Sequence, residues 1–301
     1  MSPTSLTERL SHRRVVILDA GLATSLEDAG HDLGDALWSA RLLLDAPSAI
    51  AGVHRAHIAA GAEVITTASY QASFEGLEER GCDETAARAV IRSTVELARE
   101  ARGDADVLVA ASIGPFGASL ADGSEYTGAY EVGGDFLRAW HERRLSVLSE
   151  SAPDLLAIET IPSILEAEAL VACLDQVPGP EAWVAFSTRD GTTISDGTPI
   201  EKAVALVEAH PRVIAGGVNC TAPASMTKGL AAASKATALP LVAYANSGES
   251  WDARERAWVG QRDPASYVEH ARRWADAGAR LIGGCCRTGT SHIEQLATVF
   301  G

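Results

Sequence analysis

Eight short apolar runs, each followed by a longer segment with helical spacing, constrain this chain more than any other feature. The runs are Val15-Val-Ile-Leu-Asp19, Glu63-Val-Ile-Thr-Thr67, Val107-Leu-Val-Ala-Ala-Ser112 and Leu155-Leu-Ala-Ile-Glu159, then Ala182-Trp-Val-Ala-Phe186, Val213 to Cys220, Leu241-Val-Ala-Tyr244 and Leu281 to Cys286. Between them lie Ala- and Leu-rich segments such as Asp83 to Arg102, Phe136 to Ser149, Ile164 to Leu174 and Pro264 to Ala277. Continuous apolar strands separated by helices indicate a parallel sheet covered on both faces. Eight such units in 301 residues fit an α/β fold of the (β/α)8 TIM barrel type, a parallel eight-stranded barrel, better than an open sheet. No compositional break, charge block or Pro/Gly/Ser linker interrupts the alternation, so residues 1–301 read as a single domain.

Two connections exceed the usual two to six residues or so. One runs from Gly114 through Ala121-Asp-Gly-Ser-Glu-Tyr126 to Gly133, and the other from Asn246-Ser-Gly-Glu249 to Asp263. Both leave the carboxy ends of strands, where barrel enzymes keep their sites, and both are expected to act as lids.

Hydrophobic residues make up 47% of the chain, ample for a core of this size. The formal charge of −15, from 40 acidic against 25 basic residues, argues against nucleic acid or an anionic membrane surface as partner. The polar opening segment has no apolar stretch of the kind a secretory leader carries, and no apolar run is long enough to span a bilayer. Five cysteines without disulfide-framework spacing fit a reducing compartment, so a cytoplasmic location is expected. Nothing in the pattern decides between a monomer and a homodimer.

In a barrel the carboxy ends of the strands converge on one mouth, and here they are polar: Asp19, Thr66-Thr67, Glu159, Asn219-Cys220 and Cys285-Cys286. Asp19 and Glu159 each close an apolar run, where an unpaired carboxylate is costly. The ammonium group of a ligand is one suitable partner; a structural Arg or a helix N-terminus is the other. Cys220, Cys285 and Cys286 suit a soft cation, most simply Zn²⁺, with a fourth tetrahedral position left for a substrate. Core packing is the competing reading, since a buried Cys is often a small hydrophobe, as expected for Cys82 and Cys173 on helical stretches. Adjacent cysteines on an ideal strand point to opposite faces. They share an ion only if the backbone departs from extended geometry, which Gly283-Gly284 permits. None of the eight histidines sits at a strand end to complete a closed structural site. Three thiolates around Zn²⁺ make a poor hydrolytic centre but a good one for activating a bound thiol as a nucleophile.

These residues resemble the zinc-dependent homocysteine S-methyltransferase family, in its short single-domain form that uses S-methylmethionine. The resemblance runs from Val16 to Ala297. It rests on Leu18-Asp-Ala-Gly-Leu-Ala-Thr24, Thr67-Ala-Ser-Tyr-Gln71, Leu120-Ala-Asp-Gly-Ser-Glu-Tyr126 and Ile158-Glu-Thr160, and on Ser195-Asp-Gly-Thr-Pro199, Gly217-Val-Asn-Cys220, Asn246-Ser-Gly-Glu249 and Gly278-Ala-Arg-Leu-Ile-Gly-Gly-Cys-Cys-Arg-Thr288. It implies that Cys220, Cys285 and Cys286 are zinc ligands and that the homocysteine sulfur supplies the fourth. It implies that Asp19 and Glu159 meet the homocysteine ammonium, with Gly21, Thr67, Ser69 and Asn219 contributing to that substrate's pocket. Ala20 is a departure, since many members have Gly there. The implied reaction is direct methyl transfer from a sulfonium donor, S-methylmethionine or S-adenosylmethionine, giving methionine. Glu125, Tyr126, Glu249 and Trp251, on the two long connections, are the expected donor contacts through charge and cation–π attraction; the alternative is that they are solvated loop residues. Selenohomocysteine is a second plausible acceptor. A betaine-type homocysteine methyltransferase is the alternative within the class, and a non-catalytic zinc- or homocysteine-binding barrel the alternative outside it.

Overall fold

The structure, a computed structural model, describes residues 3–12, 14–33, 39–252, 257–260 and 262–301. The strands in chain order are β1 (Val16–Ile17), β2 (Val64–Thr66), β3 (Leu108–Ile113), β4 (Leu155–Ile161), β5 (Ala182–Phe186), β6 (Val213–Asn219), β7 (Leu241–Ala245), β8 (Ser250–Asp252), β9 (Ala257–Val259) and β10 (Ala279–Gly284). Eight of them form one parallel sheet in the order β1-β10-β7-β6-β5-β4-β3-β2. The circle closes between its ends: Leu18 bridges Val64 in parallel, and the Glu63 N–H donates to the Ile17 carbonyl at 2.8 Å. The eight apolar runs are the eight barrel strands, as the alternation predicts.

Alternation of side chains sorts the strand residues into two packed sets. Val16, Leu18, Val64, Leu108, Ala110, Leu155, Ala157, Trp183, Ala215, Val242 and Leu281 fill the barrel interior. Their neighbours, among them Ile17, Ile65, Val109, Ile158, Val184 and Ile282, form the larger cluster beneath the surrounding helices. Each class buries one face of every strand, which is why the runs lack polar residues until their carboxy ends. The Trp183 indole N–H donates to the Tyr244 hydroxyl at 3.2 Å, satisfying both large polar side chains inside the barrel.

The helices also follow the pattern. Glu84–Arg102 starts from Asp83, whose carboxylate accepts the Ala86 N–H at 2.8 Å, and it ends at Gly103. Gly134–Glu150, Ile164–Gln176 and Pro264–Asp276 occupy the other segments expected to be helical. The long connections are structured rather than open. The one after β3 carries a short helix, Phe116–Leu120, and a 3-10 turn, Ser124–Tyr126, while the one after β7 carries the antiparallel β8–β9 hairpin. Among the described residues, no helix is long and apolar enough to cross a membrane.

A feature the alternation did not reveal is a plug at the amino-terminal mouth. The helix Leu6–Ser11 opens on Ser5, whose hydroxyl accepts the Glu8 N–H, and drives Leu6 into the interior cluster at 1% exposure. Arg9 is buried alongside and pairs with Glu63 at 3.2 Å and Asp106 at 2.8 Å, while the Thr7 hydroxyl donates to Glu181 at 2.9 Å. These three acids stand within two residues of the starts of β2, β3 and β5, so one small helix ties three strand starts together. Leu6→Ala is expected to cost about 2–5 kcal/mol of unfolding free energy, measured by denaturant titration, by opening a cavity that the barrel floor cannot collapse. Its effect on chemistry at the opposite mouth should be small.

Candidate active site

The seam between β1 and β10 sets the geometry of the carboxy-terminal mouth. The Gly284 N–H donates to the Asp19 carbonyl at 2.9 Å, and the Leu18 N–H to the Ile282 carbonyl at 2.9 Å. A Cβ on Gly283 would stand 2.5 Å from the Leu18 Cβ, and one on Gly284 would stand 2.2 Å from the Thr288 Oγ1. These glycines are required by close approach, not by unusual dihedral angles. The departure from extended geometry comes one step later. The chain turns at Cys286–Arg287, where Arg287 takes φ +64°, and the Thr288 hydroxyl and N–H both return to the Cys285 carbonyl, at 2.6 and 3.2 Å. That turn lets neighbouring cysteines present both sulfurs to one point. Cys220, just past β6, is itself left-handed at φ +47° and swings its sulfur inward.

The Sγ atoms of Cys220, Cys285 and Cys286 lie within 4.8 Å of one another, and Cys220 and Cys286 are 3.4 Å apart. Four-coordinate zinc with Zn–S bonds of about 2.3 Å separates its sulfurs by roughly 3.8 Å, so the cluster is close to the size such an ion needs. Its all-sulfur donor set suits a soft or borderline cation rather than Mg²⁺ or Ca²⁺. The protein alone supports unequal thiols. Hydrogen bonds from Cys220 and Cys285 hold Cys286 well below an ordinary thiol, while Cys285, bonded to Cys220 and Cys286, is pushed well up. Three thiolates together call for a cation. The Tyr126 hydroxyl stands 3.2 Å from the Cys220 sulfur, at the edge of the cluster.

The sulfurs open onto a cavity whose charge is one-sided. It is lined by Asp19, Glu125 and Glu159 with the three cysteines, by Thr24, Thr66, Thr67, Ser112, Thr160, Tyr70, Gln71, Tyr126 and Tyr244, and by Ala20 to Ala23. No lining residue among those described is Lys, Arg or His. Asp19 is fixed by the Thr66 N–H at 2.7 Å and by the Thr66 hydroxyl, with His57 at 3.9 Å; among the described residues no Arg meets it. Glu159 accepts a hydrogen bond from the Ser112 hydroxyl and another from Tyr244. Burial nevertheless pushes its carboxyl up to about 7, with the nearby Asp19 and Cys286 adding to the effect. Glu125, 8% exposed, has no partner for its Oε2 among the described residues, and burial raises its carboxyl as well. A cavity whose described lining has three carboxylates, three thiols and no basic group suits cationic ligands that carry or accept soft atoms.

Several expected contacts stand in the wall rather than in the cavity. Asn219 is fully buried and clamps β4 to β6: its Oδ1 accepts the Thr160 N–H and its Nδ2 donates to the Thr160 hydroxyl, both at 2.8 Å. That grip holds Thr160 at φ +61°, within the irregularity of β4 that carries Glu159 to the mouth. The Ser69 hydroxyl donates to the Ser112 carbonyl at 2.7 Å, and Ser69 is absent from the lining. Thr67 reaches the cavity, but its hydroxyl accepts the Ser112 N–H at 3.0 Å and bonds Ser69 at 2.7 Å, and its own N–H goes to the Ala110 carbonyl. Both hydroxyls therefore lock β2 to β3. Gly21 lines the cavity so close to the Cys285 carbonyl that a Cβ would stand 2.5 Å from it. Glu249 lies outside the lining and pairs with Arg287 at 3.2 Å and Arg262 at 3.3 Å, and Arg262 continues to Asp28 at 2.8 Å. The backbone of Trp251 belongs to β8, but its side chain lies outside the described residues. Ser112, Tyr70, Thr160 and Tyr244 are site residues that sequence reasoning did not single out, although Ser112 and Tyr244 close apolar runs just as Asp19 and Glu159 do.

A family profile described as homocysteine S-methyltransferase matches residues 16–300. The homocysteine S-methyltransferase YbgG of Bacillus subtilis (strain 168) is 42% identical over 294 residues, covering 94% of this chain and 93% of that one. A selenocysteine Se-methyltransferase of Brassica oleracea var. italica is 42% identical over 310 residues, covering 93% of this chain and 87% of its own. Among solved structures, the homocysteine methyltransferase MmuM from Escherichia coli in its metallated form superposes with a TM-score of 0.87 at 41% identity, over 96% of this chain and 98% of that one. The apo form of the same protein superposes with a TM-score of 0.77 at 36% identity, over 96% and 97%. The barrel, the cysteine cluster and these matches agree, and the chain belongs to the homocysteine S-methyltransferase family.

Proposed function

We propose that this chain transfers a methyl group from a sulfonium donor, S-methylmethionine first among them, to the sulfur of homocysteine, giving methionine. The observation that carries the reading is the cavity itself, in which three thiols and three carboxylates meet with no basic side chain among the described lining. Both substrates bring positive charge, an ammonium on each and a sulfonium on the donor. Cys220, Cys285 and Cys286 would hold Zn²⁺, which when bound removes the proton of a coordinating thiol and keeps its sulfur nucleophilic at neutral pH.

In this reading Glu159 and Asp19 hold the acceptor ammonium, each already oriented by Ser112 and Tyr244 or by Thr66. The acceptor carboxylate lies against backbone amides of the Ala20–Gly21 turn and of the segment after Thr67, with Thr67, Ser69 and Asn219 shaping the pocket from behind. Glu125, whose buried oxygen has no partner among the described residues, and the Tyr126 ring face the donor cation. As the new S–C bond forms in line with the breaking one, the bond's electron pair stays on the donor sulfur, which leaves as a neutral thioether. No general acid is needed, so catalysis rests on alignment and on charge placement. Glu249 is assigned to holding the β8–β9 hairpin to Arg287 rather than to the donor. We read residues 1–301 as one such barrel domain working in the cytoplasm.

The central test is a donor panel of S-methylmethionine, S-adenosylmethionine and betaine with homocysteine, followed as methionine formed with and without a zinc chelator. Methionine from a sulfonium donor, abolished by the chelator and restored by Zn²⁺, is the expected result; acceptor binding without transfer from any donor would refute it. Cys286→Ser should lower metal content, read by elemental analysis, and cut kcat/KM more than about 100-fold, because a ligand counts for more than the partners that orient it. Glu125→Gln should raise the KM of the sulfonium donor about tenfold, the order expected for losing a contact to a charged group, while the homocysteine KM stays within about twofold.

The pH dependence follows from Glu159. Its carboxyl titrates near 7 in the free cavity, and only the ionised form pairs with an ammonium. Acceptor affinity should therefore weaken as pH falls through 7, by up to about tenfold per unit once the acid is mostly protonated. Glu159→Gln should bind homocysteine more weakly above pH 7, and the pH slope of its acceptor KM should be lower than that of the wild type by one proton.

A further inference from the structure

The connection that brings Glu125 and Tyr126 to the cavity is fastened at both ends by one carboxylate. Glu166 lies in the first turn of the helix Ile164–Gln176, where the Ser163 hydroxyl accepts its N–H at 3.2 Å. Its side chain does not fold back on its own helix; it reaches under the neighbouring connection. Oε1 accepts the Phe116 N–H at 2.6 Å and bonds His141 Nε2 at 2.8 Å, while Oε2 accepts the Tyr130 hydroxyl. Glu166 and His141 are both fully buried. Phe116 begins the short helix after β3, and Tyr130 follows the 3-10 turn Ser124–Tyr126, so the two anchor points bracket the donor-facing residues.

The surroundings support a rigid clamp. The Phe116 ring packs edge-on against Tyr130 at 5.4 Å and Trp140 at 5.3 Å. The buried Arg144 guanidinium donates to the Gly114 carbonyl at 2.5 Å and to the Tyr70 carbonyl at 3.2 Å, fixing the same connection where it leaves β3. Burial lowers His141, and its Nε2, facing a carboxylate oxygen, is placed to donate to Glu166, while Nδ1 has no partner among the described residues. Burial and the adjacent carboxylate raise the Tyr130 phenol, which keeps it a donor. A buried carboxylate with three fixed donors is an expensive arrangement to assemble and costly to break.

We propose that Glu166 is a positioning residue for the methyl donor: by tying Phe116 and Tyr130 together it sets where Glu125 and Tyr126 stand, although it touches neither substrate. The inference rests on the reading that Glu125 and Tyr126 face the donor. Its test is steady-state kinetics of the metal-loaded protein with each substrate varied separately, in Glu166→Ala and Tyr130→Phe. The expected result is a donor KM raised about tenfold or more in Glu166→Ala and about threefold in Tyr130→Phe, with the homocysteine KM within about twofold and metal content unchanged. Loss of stability alone would reduce the active fraction and leave both KM values where they were; that result, or an equal rise in both, would overturn the proposal. If Glu166→Ala does not fold, Tyr130→Phe decides by the same split. Glu125→Gln measured alongside separates the two failures. A donor KM that rises in Glu125→Gln but in neither clamp variant overturns the clamp alone, while no rise in any of the three overturns the donor reading as well.

Discussion

Everything at the mouth depends on how tightly the last barrel strand lies against the first. β1 has only two residues in regular pairing, yet beyond it the chain stays in contact with β10 and its turn through Asp19, Gly21 and Thr24. Two glycines on β10 remove the side chains that would hold the strands apart, and Thr288 closes over the gap. The closure places Asp19, from the start of the chain, beside Cys285 and Cys286, from its end. A methyl group added at Gly283, Gly284 or Gly21 would push on backbone or on neighbouring side chains, so the seam tolerates little adjustment. The cysteine turn, and with it the ability of adjacent residues to share one ion, exists because this contact is so close.

A second theme is the separation of charge. The described lining of the cavity carries no basic side chain, and the nearest to its carboxylates is His57, 3.9 Å behind Asp19, whereas other buried or half-buried charges are matched within the protein. Arg9 is matched by Glu63 and Asp106, and Glu249 by Arg287 and Arg262. Glu166 is matched by three hydrogen-bond donors. The contrast is informative because an uncompensated buried carboxylate is costly to the fold, and a protein retains that cost where a ligand repays it. Asp19 lies between the two regimes, since Thr66 orients its oxygens but brings no positive charge.

The barrel was legible because each strand is buried on both faces and so writes itself as an unbroken apolar run, ending where the polar mouth begins. The cysteines and the two acids could be read for the same reason: they stand where such runs stop. What the sequence hid were relationships that cross the sheet. Nothing local to Asn219 says that its amide is occupied by Thr160, or that Thr67 and Ser69 satisfy each other and Ser112. Polar residues at a mouth look alike whether they face the ligand or brace the wall. The plug helix escaped notice because six residues are too few to show a period, and Glu166 because a helical Glu is ordinarily a solvated one.

The unpartnered oxygen of Glu125 bears on turnover as well as on recognition. On the reading that it faces the sulfonium, the attraction it supplies exists only while the methyl is still on the donor. Transfer discharges that sulfur, and the carboxylate is then left against a neutral thioether with nothing to hold. The same group that selects the fresh donor thus loosens its hold on the demethylated one, so the site discriminates between reactant and product by electrostatics alone, and accumulated methionine should compete only feebly for the donor's place.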